Sequence, residues 1–354
     1  MAYITFQPSD HFNTVLYTGN GSSQNITGVG FDPDWIWTKC RSHVETHELY
    51  DKVRGATKRL VTNTTAGENT ESYQSFITDG FAWSASGNQN ISGRTFASWN
   101  WKANGQGSAN TDGSINTTYT SANTTSGFSI VVWNGNGTNG ATIGHGLGAT
   151  PKVVIVKCTS ATENWNMYHE SITAADNGNL YLNSSGGYAA SGGNRWARSS
   201  ISSSVFGLGS DGTTNQSSQT YIAYCFAEKK GFSKFGKYVG NGNANGARIY
   251  TGFKPAFFLC KDTSSGTTEN WNMYDNKRGG AGAIRKVLYS DTTDDEENKT
   301  GGMDFLSNGV KMRGTDGAFN GSNKEYLYMA FAEHPLVSSN NLPVTAGTNL
   351  ATGV

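Results

Sequence analysis

The chain has 354 residues with 27 basic and 27 acidic side chains, so the formal net charge is zero and only 15% of residues are charged. So neutral a composition excludes a nucleic-acid binder, which needs a basic surface to displace counterions from phosphates, and no run of 18 apolar residues offers a membrane span. The polar exterior must be Ser, Thr, Asn and Gly, a composition common on extracellular adhesins and particle surfaces.

The N-terminal MAYITFQPSDHF lacks the basic start and apolar core of a secretory signal peptide, so export by the ordinary route is not expected. The following segment NTVLY is short, aromatic and β-branched, as strands are. It leads into TGNG, whose Asn-Gly pair tolerates the positive φ of a tight hairpin. After Pro33, DWIWTK is almost continuously apolar, which suits a strand buried on both faces. HVETHE places His43 and His47 four apart, the spacing of a two-histidine metal site on a helix. No third ligand is near in sequence, and no metal is expected. YDKVRGATKRL, from Tyr50 to Leu60, is the best helical candidate; its glycine reduces it to a turn or a single helical turn. Within it Asp51 and Arg54, three apart, can close the loop as a salt bridge. TFASWNWK then reads as an aromatic closing strand.

The same order recurs twice. FSIVVWNGNG, KVVIVK, ENWNMYH and TYIAYCFAE form a second copy, and KFGKYVGNG, AFFLCK, ENWNMYD and EYLYMAFAE a third. The copies align Pro33, Pro151 and Pro255; Lys39, Lys157 and Lys261; and Tyr50, Tyr168 and Tyr274, at offsets of about 104 to 118 residues, a repeat that dictates the architecture. His47 falls opposite Trp165 and Trp271. Asp275 and Arg278 repeat the turn salt bridge of Asp51 and Arg54, while the second copy has YHESIT instead. Asp291 to Asn298 is acidic but lacks the pattern of a calcium loop and reads as solvated.

The expected fold is all-β: three tandem antiparallel β-sandwich repeats, jelly-roll-like. The boundaries are 1–102 for the first repeat, 103–127 for a polar linker or extended surface strand, 128–231 for the second repeat, 232–336 for the third and 337–354 for an extended tail. Cys40, Cys158, Cys225 and Cys260 make no CxxC pair and are expected as buried free thiols. The Asn-x-Ser/Thr sequons at Asn25, Asn63, Asn90, Asn116 and Asn183 read as composition.

The motifs GFxPxxxxxK (Gly30 to Lys39), the RGA turn (Tyr50 to Ala56), the run from Tyr221 to Gly242, TGFxPAF (Thr251 to Phe257) and the terminal YMAFAExPL (Tyr328 to Leu336) carry a resemblance over almost the whole chain. It resembles a group of marine bacteriophage proteins encoded among structural genes. The resemblance implies a tail-fibre-like or virion structural protein with lectin-like sandwiches, assembled in the host cytoplasm. It implies no catalytic residues and no cofactor. The expected function is therefore non-enzymatic contact at the particle surface. Its partners would be other virion proteins and host cell-surface polysaccharide, met through Trp165, Asn166, Trp271 and Asn272 in the polar ENWNMY loops. A decoration or cement protein without a host ligand is the alternative, and a polysaccharide-degrading enzyme the third reading. The three copies are expected around a local threefold, or the chain itself trimerises.

Overall fold

The computed structural model describes residue 4 and residues 6–334, except 72–73, 86, 173–177, 191–194, 265 and 280–282. The tail expected at 337–354 lies outside the described residues. Among the described residues the chain is all-β, its strands paired in antiparallel sheets.

Each repeat is built on the same inner sheet. In the first, the spatial order is Phe12–Thr18, Thr95–Trp101, Trp35–Cys40, His47–Asp51. The second repeats it with Phe128–Asn134, Thr220–Phe226, Val153–Cys158 and Asn166–His169. The third uses Ser233–Val239, Glu325–Phe331, Phe257–Asp262 and Asn272–Asp275. A smaller outer layer covers one face of each sheet. It comprises Gln24–Thr27, Gln74–Ile77 and Gly80–Trp83 in the first repeat, and Thr142–Gly144 with Val205–Gly207 in the second. In the third repeat both layers belong to one curled eight-stranded sheet, joined through Ile284–Tyr289 and Glu297–Leu306.

The near-continuous apolar strands follow from this layering. Successive side chains of a strand point to opposite faces. Ile36 joins a core private to the first repeat, Val154 and Val156 one private to the second, Phe258 and Cys260 one private to the third. Their neighbours Trp35, Trp37, Val153, Ile155, Phe257 and Leu259 all enter a single core shared by the three repeats. Every residue of these central strands is buried. At the middle of the shared core, the equivalent residues Trp101, Phe226 and Phe331 form a triangle with ring centroids 6.5, 5.7 and 5.6 Å apart. The repeats thus surround a pseudo-threefold axis within one chain.

Local expectations fare unevenly. Tyr50 to Leu60 forms a strand end, a turn and the short strand Lys58–Arg59, with no helix. The matching segment of the third repeat, YDNKRGGAGAIRKVL from Tyr274 to Leu288, runs into the strand Ile284–Tyr289, which pairs on both sides. Among the described residues the α-helices are two single turns, Gly212–Asn215 and Gly317–Asn320, started by Asp211 and Asp316, whose carboxylates accept the Thr213 and Ala318 N–H groups. The segment 103–127 is laid on the second repeat: Tyr119–Asn123 pairs with Phe128–Asn134, and Ser108 bridges back to Thr120.

Candidate functional site

The residues singled out by sequence converge on the seams between repeats. Asp51 ends its strand at zero exposure, and its Oδ2 accepts from Arg54 Nε at 2.7 Å. Asp275 does the same with Arg278 at 2.6 Å. The expected turn salt bridges are present, and each also reaches across a seam. Tyr224 of the second repeat donates its hydroxyl to Asp51 Oδ2 at 2.9 Å, and Trp99 of the first donates its indole N–H to Asp275 Oδ2 at 3.0 Å. Burial, reinforced by the Asp51 carboxylate, holds the Tyr224 phenol well above its ordinary pKa, so it stays a donor.

The absent pair in the second repeat now has a reason. Trp99, Tyr224 and Met329 occupy the same place on the closing strand, two residues before the axial triangle. Where the neighbour offers an N–H or O–H, an aspartate stands opposite. Where it offers Met329, the position holds His169, whose Nε2 lies 3.3 Å from the Tyr328 carbonyl and whose pKa burial lowers to about 4. A neutral ring suits a seam that presents a carbonyl and no charge.

Trp165 and Trp271 occupy the far end of the same seams. They are 0% and 1% exposed, and their indole N–H groups donate to Val61 and Tyr181 carbonyls of the preceding repeat, both at 2.9 Å. The reading of these indoles as ligand contacts is therefore corrected: a ring filling a seam has no face left for a sugar. Asn166 and Asn272 are also fully buried; their amides tie the one-turn helices to the inner sheet through the Thr213 and Ala318 carbonyls. At the third seam His47 takes the tryptophan's place. Trp37 donates to its Nδ1 at 2.9 Å, which leaves the proton on Nε2, beside the Tyr289 backbone. Burial holds this ring neutral, with its pKa well below the ordinary value. His47 thus turns its Nε2 toward the third repeat.

Three buried lysines complete the pattern, and sequence alignment found them without their role. Lys39 Nζ donates to the Thr293 carbonyl of the third repeat, Lys157 to Thr65 of the first, Lys261 to Ser185 of the second, at 3.2, 3.1 and 2.9 Å. Each also donates within its own repeat, to Cys40, Glu163 and both Asp262 and Glu269 respectively. Burial lowers each pKa to about 8. Backbone pairs close the same seams: Glu68 with Thr159, Glu163 with Thr65, Tyr188 with Thr263, Glu45 with Thr293 and Glu296 with Arg41.

A further set was missed because it resembled composition. Asn90, Asn215 and Asn320, each followed two residues later by serine, are fully buried. Their Oδ1 atoms accept the N–H of Asn20, Asn136 and Asn241 in the three GNG segments. The hairpins expected there are corrected: the strand before each GNG pairs with the closing strand and the strand after it with the outer layer, so the turn is a corner between layers. Recurrence at equivalent places, more than the sequon itself, was the available signal. The four cysteines are buried and free, as expected. The acidic stretch is engaged by cations and donors: Glu296 holds Arg41 through two bonds of 2.8 and 3.0 Å, and Glu297 accepts the Tyr289 hydroxyl. Among the described residues, no group of three or more His, Cys, Asp or Glu is placed to hold a metal ion, and no helix is long and apolar enough to cross a membrane.

A family model described as a domain of unknown function, DUF7483, matches residues 7–335. The chain belongs to that family. No curated protein matches it.

Proposed function

We propose that the chain is a non-enzymatic structural protein of a tailed bacteriophage virion, assembled in the host cytoplasm and exposed on the particle as part of a fibre, spike or capsid exterior. One observation carries the reading. The convergent charged and aromatic groups found in the sequence serve the seams of a self-closed, pseudo-threefold body. The resemblance of the motifs to those of phage structural proteins suggests the setting, and the uncharged Ser/Thr/Asn/Gly composition suits a surface that works by contact.

Contact with host glycans belongs to this reading, with other virion proteins as the anchoring partners. A second reading, a decoration or cement protein with no host ligand, is favoured by the burial of Trp165 and Trp271, since those loops then offer shape and backbone instead of aromatic platforms. A reconstruction of the intact particle tests the common claim. The expected result is a compact three-lobed density on the exterior that fits this chain. Purified particles without the polypeptide would overturn it. Particles lacking the gene product then divide the readings: lost adsorption supports host contact, and lost particle stability supports cement.

A further inference from the structure

Among the described residues, the large apolar side chains left exposed are Val44, Val239 and Tyr250, and Tyr250, at 65%, is the aromatic one. It ends the strand Arg248–Tyr250 in the outer layer of the third repeat, which pairs with Gly309–Met312, itself paired with Glu297–Leu306. Directly opposed residues share a face of a sheet. Tyr250, Gly309 and Leu306 therefore form one row, and Arg248, Lys311 and Asp304 the row beside it.

Gly309 carries no side chain to cover the flank of the phenol ring. Arg248 Nη2 donates to Asn308 Oδ1 at 2.9 Å, which fixes the guanidinium at the edge of the patch. Arg313 Nε approaches Asp304 Oδ2 at 2.5 Å. Three cations, Arg248, Lys311 and Arg313, stand against one carboxylate, a local balance of 3 − 1 = +2 on a chain whose total is zero.

The fold does not require an aromatic there. The equivalent positions hold Thr27, opposite Gly80, and Gly144, opposite Val205. The packing is done by the preceding residues Ile26, Ile143 and Ile249, all buried. An exposed ring that packing does not need, beside excess positive charge, has the chemistry of a platform for an anionic ring.

We propose that this patch binds acidic saccharides of the hexuronate class, the apolar face of the sugar lying on Tyr250 and its carboxylate meeting Arg248. The inference deepens the host-glycan contact proposed above and rests on that reading for its biological setting. Calorimetric titration of the full chain with an oligomer of galacturonic acid, and with a neutral galactose oligomer, tests it. The acidic oligomer should bind, more weakly as salt rises. Tyr250→Thr, the residue tolerated in the first repeat, and Arg248→Gln should each weaken binding about tenfold or more without changing the melting temperature. Tyr250→Phe should retain binding. Failure of the acidic oligomer to bind, equal binding in both weakened variants, or equal binding of ringless polyphosphate would overturn the proposal. Binding by a protein that is absent from particles would leave this site standing and sink the virion reading; a particle component that does not bind would do the reverse.

Discussion

At the scale of single residues, donors aimed at carbonyls hold the seams. Trp165→Phe keeps most of the ring but removes the N–H that serves Val61. The orphaned carbonyl stays buried, so a loss of about 1–3 kcal/mol in urea unfolding is expected. A ligand-contacting tryptophan on an exposed loop would cost close to nothing. The lysines give a pH test. Lys157 has its pKa lowered from 10.5 to about 8 by burial. Between those values the unfolded chain holds a proton that the folded chain has released. Stability from this group therefore rises with pH through that window and is smallest below pH 8. The slope is at most about 1.4 kcal/mol per pH unit. Thiols pull the other way: burial pushes Cys260 up to about 12, so the folded state keeps a proton the unfolded state loses. The difference between wild type and Lys157→Met isolates the lysine, and it should grow from pH 8 to pH 10. A flat difference would mean that the ammonium is not buried.

At the scale of elements, the seam couples a turn in one repeat to a strand in the next. Asp51→Ala leaves the Arg54 guanidinium, only 5% exposed, with Glu68 as its remaining carboxylate, and a destabilisation of about 1–3 kcal/mol is expected. Tyr224→Phe removes the other partner of the same oxygen. In a double-mutant cycle the two changes should be non-additive by about 0.5–3 kcal/mol, although 173 residues separate them in sequence. Much at this scale was legible in the sequence. The central strands after Pro33, Pro151 and Pro255 and the aromatic closing strands are local signals, and they form where the pattern puts them. The GNG turns take the positive φ the pattern asks for, at Gly21, Gly137 and Gly242. Yet they are no hairpins, because which strand pairs with which is decided across the sheet. The Asp-Arg turns were legible for the same reason, being three residues apart. The partners across the seams were not, because Tyr224 and Asp51 meet only when three sheets close. Trp165 and Trp271 misled for a related reason. Their amide-rich neighbourhood looks like a solvated loop, yet those amides serve the one-turn helices and the neighbouring backbone.

At the scale of the whole molecule, boundaries drawn at repeat junctions do not separate independent domains. Each inner sheet has two apolar faces, and its own outer layer covers only one of them. An isolated repeat would expose Trp35 and Trp101, or Phe226 and Phe331, to water, each worth about 1.5–3 kcal/mol of lost burial. The triangle of Trp101, Phe226 and Phe331 exists only when all three repeats are present. One chain thereby does the work of a trimer and leaves its outer layers free to diverge, as Tyr250, Thr27 and Gly144 have. Scanning calorimetry of the intact chain addresses this most directly. A single transition whose calorimetric and van't Hoff enthalpies agree is expected. Separate transitions for the repeats, or a fragment 128–231 that melts cooperatively alone, would contradict it.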